Sequence, residues 1–238
     1  MAIWTLATTI LFTLLLGIPI ILMGIFSKTG RLPYLLGRSW AWVIIRANRV
    51  KLSVDGIENL VKNRSYIFIS NHMSNLDPLA VAKAIPRTHT LRFVGKKSLS
   101  RIPVFGWAAR IGRVIFIDRS NSQKAIESIN RTIQELKNGI SAFFFAEGTR
   151  SSNGKIKSFK KGGVALALKA KLPIIPITVI NSHNLLPKNS LKVRKGIIKI
   201  IVGDPIDTSS YTESDRDILT EKVRAIIAAN LLAFGEAD

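Results

Sequence analysis

The chain has 238 residues, enough for one sizeable α/β domain plus an appendage. Its 35 lysines and arginines against 15 acidic residues leave a net charge of +20, which calls for an anionic partner, either nucleic acid or an acidic membrane surface. The lack of cysteine excludes disulfides, thiolate nucleophiles, zinc knuckles and iron–sulfur clusters, and fits a reducing compartment; the three histidines, His72, His89 and His183, have no metal-ligand spacing.

From Ala2 to Ser27 no side chain is charged, and the run is long enough to cross a ~30 Å hydrocarbon core as a helix of about 20 residues. A cleaved signal peptide would need a basic start, and no Lys or Arg follows Met1 before Lys28, so a retained membrane segment is expected. Gly17 and Pro19 leave open a kinked helix that dips into one leaflet. Between Lys28 and Lys51, basic residues interleave with Tyr34, Trp40, Trp42 and aliphatic side chains, the pattern of an interfacial amphipathic helix; an ordinary helix packed on the domain is the alternative. Residues 1–49 are therefore read as two membrane-anchoring helices. The basic excess puts residues 50–238 on the cytoplasmic side of a cytoplasmic (inner) membrane.

Strands are predicted at Val50–Val54, Tyr66–Ser70, Leu91–Val94, Arg113–Ile117, Ser141–Ala146, Ile174–Ile180 and Ile197–Val202. Helices are predicted at Pro78–Ile85, at Asn121–Asn138 with Ser120 as cap and Gly139 as stop, within Phe159–Lys171, and from Asp215 to Phe234 with a Ser214/Asp217 capping box. The alternation implies an α/β sandwich of helices around a largely parallel, roughly seven-stranded sheet.

Three segments that follow strands carry reactive side chains. In Ser70-Asn71-His72-Met73-Ser74-Asn75-Leu76-Asp77-Pro78, a histidine and a carboxylate sit between a strand's end and a helix's start, with Asp77 a candidate N-cap. His72 is read as a general base and Asp77 as its orienting partner, once a turn brings them together; an exposed loop histidine beside a helix cap is the bland alternative. No Gly-x-Ser-x-Gly elbow is present, so a base that activates an external hydroxyl is preferred to a covalent triad. Lys96, Lys97 and Arg101 after one strand, with Gly148, Thr149 and Arg150 after another, describe a phosphate clamp, against the reading that they are simply solvated cations. Glu147 is placed to orient Arg150, to bond a substrate hydroxyl, or to join a structural ion pair. Gly148 to Lys155 is one residue too long for a P-loop, and Ile156 stands where Ser or Thr is needed.

Together these segments resemble the glycerolipid acyltransferases, specifically the 1-acylglycerol-3-phosphate (lysophosphatidate) acyltransferases. Asn71-His72-Met73-Ser74-Asn75-Leu76-Asp77 matches the family's Asn-His-x-x-x-x-Asp block. Gly95-Lys96-Lys97-Ser98-Leu99 with Ile102-Pro103 and Gly106-Trp107, then Ile117-Asp118-Arg119, resembles its second block. Phe145-Ala146-Glu147-Gly148-Thr149-Arg150-Ser151 matches the third, with Ala146 where proline is frequent, and Leu172-Pro173-Ile174-Ile175-Pro176-Ile177 resembles the fourth. The resemblance implies that His72, oriented by Asp77, deprotonates the sn-2 hydroxyl of lysophosphatidate for attack on an acyl thioester of coenzyme A or acyl carrier protein. Lys96 or Lys97, Gly148, Thr149 and Arg150 would hold the acceptor's phosphate, the Lys-x-Ser-Leu spacing favouring Lys96. Asn71 and Glu147 would support the loops. Neither cofactor nor metal is implied. The neighbouring readings are a glycerol-3-phosphate or other lysophospholipid acceptor, and, from a different class, a non-catalytic basic module for acidic membranes or another anionic ligand. No nucleic-acid-binding motif is present, and nucleic acid is not expected as a partner.

Overall fold

A computed structural model describes residues 2–24, 26–118, 122–151 and 154–234. The uncharged N-terminal run forms helix α1 (Ala2–Gly24), long and apolar enough to cross a membrane. A turn with Gly30 at φ 65° reverses the chain into α2 (Arg31–Ala47), and the two helices pack as an antiparallel hairpin. Trp4 Nε1 donates to Ala47 O at 3.0 Å and Trp40 Nε1 to Thr13 Oγ1 at 3.2 Å, so the hairpin is tied along its length. Ile3, Leu6, Ile10, Leu14 and Leu22 of α1 remain exposed.

The inner face of α2 packs on the domain. Tyr34, Ala41, Ile44 and Ile45 are buried, and the buried Arg38 guanidinium donates to Ala82 O and Lys83 O, each at 2.7 Å, and to Ile85 O. These are the last carbonyls of α3 (Asp77–Ala84), which an α-helix leaves unpaired and which a cation at the negative end of the dipole satisfies. Trp42 and Leu32 stay exposed, so α2 has both a domain-facing and an outward apolar surface.

The sheet holds β1 (Val50–Asp55), β2 (Ile67–Ser70), β3 (Thr90–Lys96), β4 (Ile115–Ile117), β5 (Ile140–Phe145), β6 (Ile174–Ile180) and β7 (Gly196–Val202), in the order β1-β7-β6-β2-β5-β3-β4. All neighbours are parallel except β6 and β7, so the expected largely parallel seven-stranded sheet is present, with β1 and β7 running against the other five. Every residue of β2 and β6 is buried, which explains their unbroken apolar sequences. One face of the sheet packs on α2 and α3 through Phe68, Phe143, Ile175 and Ile198. The other packs on α6 (Gly162–Ala170) and α8 (Arg216–Ala233) through Ile67, Ile69, Phe144 and Ile174.

Several boundaries differ from expectation. The fourth strand begins at Ile115 because Arg113, at φ 58°, is still in the turn that ends α4 (Phe105–Ile111), a helix the sequence reading left inside a loop. The third strand runs on to Lys96. Helix α5 (Ser122–Thr132) gives way to a 3₁₀ turn at Ile133–Glu135; its expected Ser120 cap and Asn121 start, and Arg119 of the second block, lie outside the described residues. The capping box is formed by Thr212 and Asp215 instead of Ser214 and Asp217, since a 3₁₀ turn at Glu213–Asp215 precedes α8. A short helix, α7 (Ser182–Leu185), follows β6.

Candidate active site

Strands β2, β5 and β3 are consecutive and parallel, so the three segments singled out in the sequence leave the same edge of the sheet. That edge, at the carboxyl ends of the strands, is where open α/β sheets bind ligands.

The β2 segment is pinned at each step. The β2–β6 ladder runs only to Ser70 opposite Ile177. Beyond it the buried Asn71 amide takes the place of backbone: Nδ2 donates to Val179 O and Oδ1 accepts from Val179 N, both at 2.8 Å. The chain then turns out at His72. Its backbone N donates to Glu147 Oε1 at 2.8 Å and its carbonyl accepts from Ser151 N at 2.9 Å, stitching the β2 loop to the β5 loop. The ring stacks on Phe145, the last residue of β5, with centroids 4.2 Å apart.

His72 Nδ1 lies 2.8 Å from Asp77 Oδ2. The same oxygen accepts from Met73 N at 2.7 Å and Ser74 N at 2.8 Å. Five residues would not bring two side chains together on a helix. Here the chain doubles back through Ser74, whose Oγ donates to Leu186 O at 2.8 Å and accepts from Leu76 N at 3.2 Å. Asp77 is therefore not the N-cap of α3: Leu76 holds that position, Asp77 is the first helical residue, and its carboxylate closes the preceding loop. A carboxylate can only accept, so the imidazole proton sits on Nδ1 and Nε2 is left as the acceptor. Asp77 is wholly buried while the His72 side chain is 17% exposed. The arrangement is that of a general base held by one nitrogen and presented by the other.

Two of the readings made from sequence are not met among the described residues: Glu147 neither orients Arg150 nor joins an ion pair. It is buried, and its carboxylate spans two backbone amides, His72 N and Lys157 N, the latter at 3.3 Å. Among the described residues it forms no ion pair with Arg150. Burial pushes its pKa up, against the opposing pull of the His72 and Lys157 amides.

The cations are placed differently. Lys96 ends β3, exposed and without an ion pair among the described residues. Lys97 instead pairs with Asp118 Oδ2 at 3.3 Å. Gly148 takes φ 70°, turning the chain so that the exposed Thr149 and half-buried Arg150 lead away from β5. The Arg150 guanidinium has no hydrogen-bond or ion-pair partner among the described residues. Sequence reasoning missed Ser74, the Phe145 platform and the Val179 backbone, none of which carries a local signal. Among the described residues, no three His, Cys, Asp or Glu side chains gather as metal ligands would.

A family model described as Acyltransferase matches residues 51–180. The 1-acyl-sn-glycerol-3-phosphate acyltransferase of Saccharomyces cerevisiae is 31% identical over 90% of this chain and 71% of its own length. The chloroplastic enzyme of that name from Arabidopsis thaliana is 29% identical over 94% of this chain, which spans only 61% of that relative's length. The one from Borreliella burgdorferi is 29% identical over 84% of this chain and 80% of its own. Among solved structures, the 1-acyl-sn-glycerophosphate (LPA) acyltransferase PlsC from Thermotoga maritima superposes with a TM-score of 0.72 over 99% of this chain and 98% of that one; at 24% identity the likeness speaks for the fold. With the family match covering more than half of its length and the yeast relative aligned across most of both proteins, the chain belongs to the acyltransferase family.

Proposed function

We propose that the protein transfers a fatty acyl group from a thioester, of coenzyme A or acyl carrier protein, to the sn-2 hydroxyl of lysophosphatidate, giving phosphatidate. The observation that carries this reading is the His72–Asp77 pair, its Nε2 left open on the sheet edge that also carries Lys96 and Arg150. Nε2 takes the hydroxyl proton as the oxygen attacks the thioester carbonyl. The tetrahedral intermediate collapses with cleavage of the C–S bond, and the imidazolium returns its proton to the departing thiolate. Asp77 fixes the tautomer and stabilises the imidazolium throughout.

The acceptor's phosphate is assigned to Lys96, Arg150 and the Gly148–Thr149 turn, with Lys97 in an outer position because Asp118 occupies its ammonium. Strand β3 is two spacings from β2, roughly 10 Å at 4.7–4.9 Å each, which a glycerol phosphate and one extended lysine can bridge. Asn71 and Glu147 hold the base in place. No metal or cofactor has a part in these steps.

We assign residues 1–49 to membrane attachment and 50–238 to the catalytic domain, facing the cytoplasm. The uncharged α1 and the run of cations after it support this. The test is to incubate the full-length protein with lysophosphatidate and, separately, acyl-coenzyme A and acyl carrier protein thioester, following phosphatidate by mass spectrometry. Product with either donor is expected; no product with both overturns the reading.

A further inference from the structure

The α1–α2 hairpin borders two adjoining open pockets that the reaction above does not use. The first, about 320 Å³, is lined by Trp4, Asn48, Arg49 and Lys195, among others. The second, about 530 Å³, runs between the helices past Leu11, Phe12, Trp42 and Val43 to Arg46. Trp4 and Ala47 line both, so the two form one groove with a cationic end and an apolar trough. Arg46, Arg49 and Lys195 make no ion pair among the described residues, and no acidic residue occurs before Asp55. From Trp4 to Phe12 the trough follows eight residues of helix, roughly 12 Å, enough for the upper half of a fatty chain.

We propose that this groove binds one phospholipid of net negative charge, its headgroup between Arg49 and Lys195 and its chain along Leu11, Phe12, Trp42 and Val43. Charge and polarity select the ligand together: a soluble phosphate would leave the trough empty, and a zwitterionic lipid would bring a fourth cation to a site that already holds three. Topology gives the groove a relation to the reaction. Because β1 and β7 run against β2, Arg49 and Lys195, which precede them, lie at the same sheet edge as His72. Lys195 is two strand spacings across the sheet from β2, on the side away from Lys96 and Arg150, and the register sets it five residues, roughly 17 Å, further out along the strand direction than His72. The groove therefore holds a lipid at the sheet edge that carries the base, apart from both the base and the acceptor's phosphate site.

The test is quenching of tryptophan fluorescence in the full-length protein, in neutral detergent, by doxyl-labelled phosphatidate or doxyl-labelled phosphatidylcholine. Saturable quenching by phosphatidate, with phosphatidylcholine much weaker, is expected. Arg49→Gln/Lys195→Gln should weaken phosphatidate binding roughly tenfold, with turnover of a short-chain acceptor unchanged. Lys195→Gln alone, at an exposed loop position, gives a smaller weakening and serves if the double variant does not fold. Arg150→Ala, which weakens the acceptor's phosphate site, should bind phosphatidate as the parent does, which separates this groove from the catalytic site. Competition by unlabelled lysophosphatidate and phosphatidylglycerol identifies the source: preference for the first points to the acceptor, equal potency to bulk anionic lipid. Equal quenching by phosphatidylcholine, or phosphatidate affinity unchanged by the double substitution, would overturn the proposal.

Discussion

The two halves of the candidate site are built in opposite ways. Around His72 each group is held: Asn71 by the Val179 backbone, Asp77 by two amides, and the His72 amide by Glu147. The Lys96 ammonium and the Arg150 guanidinium have no protein partner among the described residues. A base must sit within a few tenths of an ångström of its geometry before substrate arrives, because positioning carries much of its effect. A phosphate clamp can be completed by the phosphate itself. The difference predicts that substitutions on the first side lower kcat and that substitutions on the second raise the acceptor KM.

The largest effect is expected at the base. His72→Ala should lower kcat by roughly 10²–10⁴-fold with the acceptor KM little changed, measured by initial rates over a range of lysophosphatidate. Retained activity would remove His72 from the mechanism. Asn71→Ala comes next: it leaves the buried Val179 N–H and C=O unpaired and frees the His72 loop, so kcat should fall roughly tenfold to a hundredfold. A change confined to KM would mean that the amide does not position the base. Lys96→Ala should raise the acceptor KM roughly tenfold or less at nearly constant kcat. A matching fall in kcat would show that the cationic side is as preorganised as the histidine side.

The smallest effect is on stability. His89 is fully buried between Tyr66 and Phe68, and burial pushes its pKa below the usual histidine value. A depressed folded value means that the unfolded chain takes up the proton first. Stability from this group is therefore present above about pH 6.5 and is lost as pH falls through the folded value. Denaturation midpoints between pH 7 and 5 should decline less in His89→Phe than in the parent. An identical decline would assign the acid sensitivity elsewhere.

Much of this architecture was legible in the chain, for physical reasons that also set the limits. Ile67–Ser70 reads as a strand because both faces are buried, and Asn71-His72 with Asp77 reads as a site because its spacing is local. Arg38 looked like one more interfacial cation; its role at the end of α3 depends on a helix forty residues away. Helix α4 was missed because Pro103, Gly106 and Gly112 punctuate it as a loop, and its packing against α1 is a long-range contact. Glu147 misled because a carboxylate among cations suggests a salt bridge, whereas two backbone amides had claimed it.

The contrast between a fixed base and a clamp completed by its ligand is tested most directly by comparing two acceptors, lysophosphatidate and the same 1-acylglycerol without phosphate, in the parent and in Arg150→Ala. The parent should prefer lysophosphatidate strongly in kcat/KM. In Arg150→Ala that preference should shrink by roughly tenfold or more, with kcat/KM for the phosphate-free acceptor unchanged. An undiminished preference, or an equal loss with both acceptors, would contradict the account.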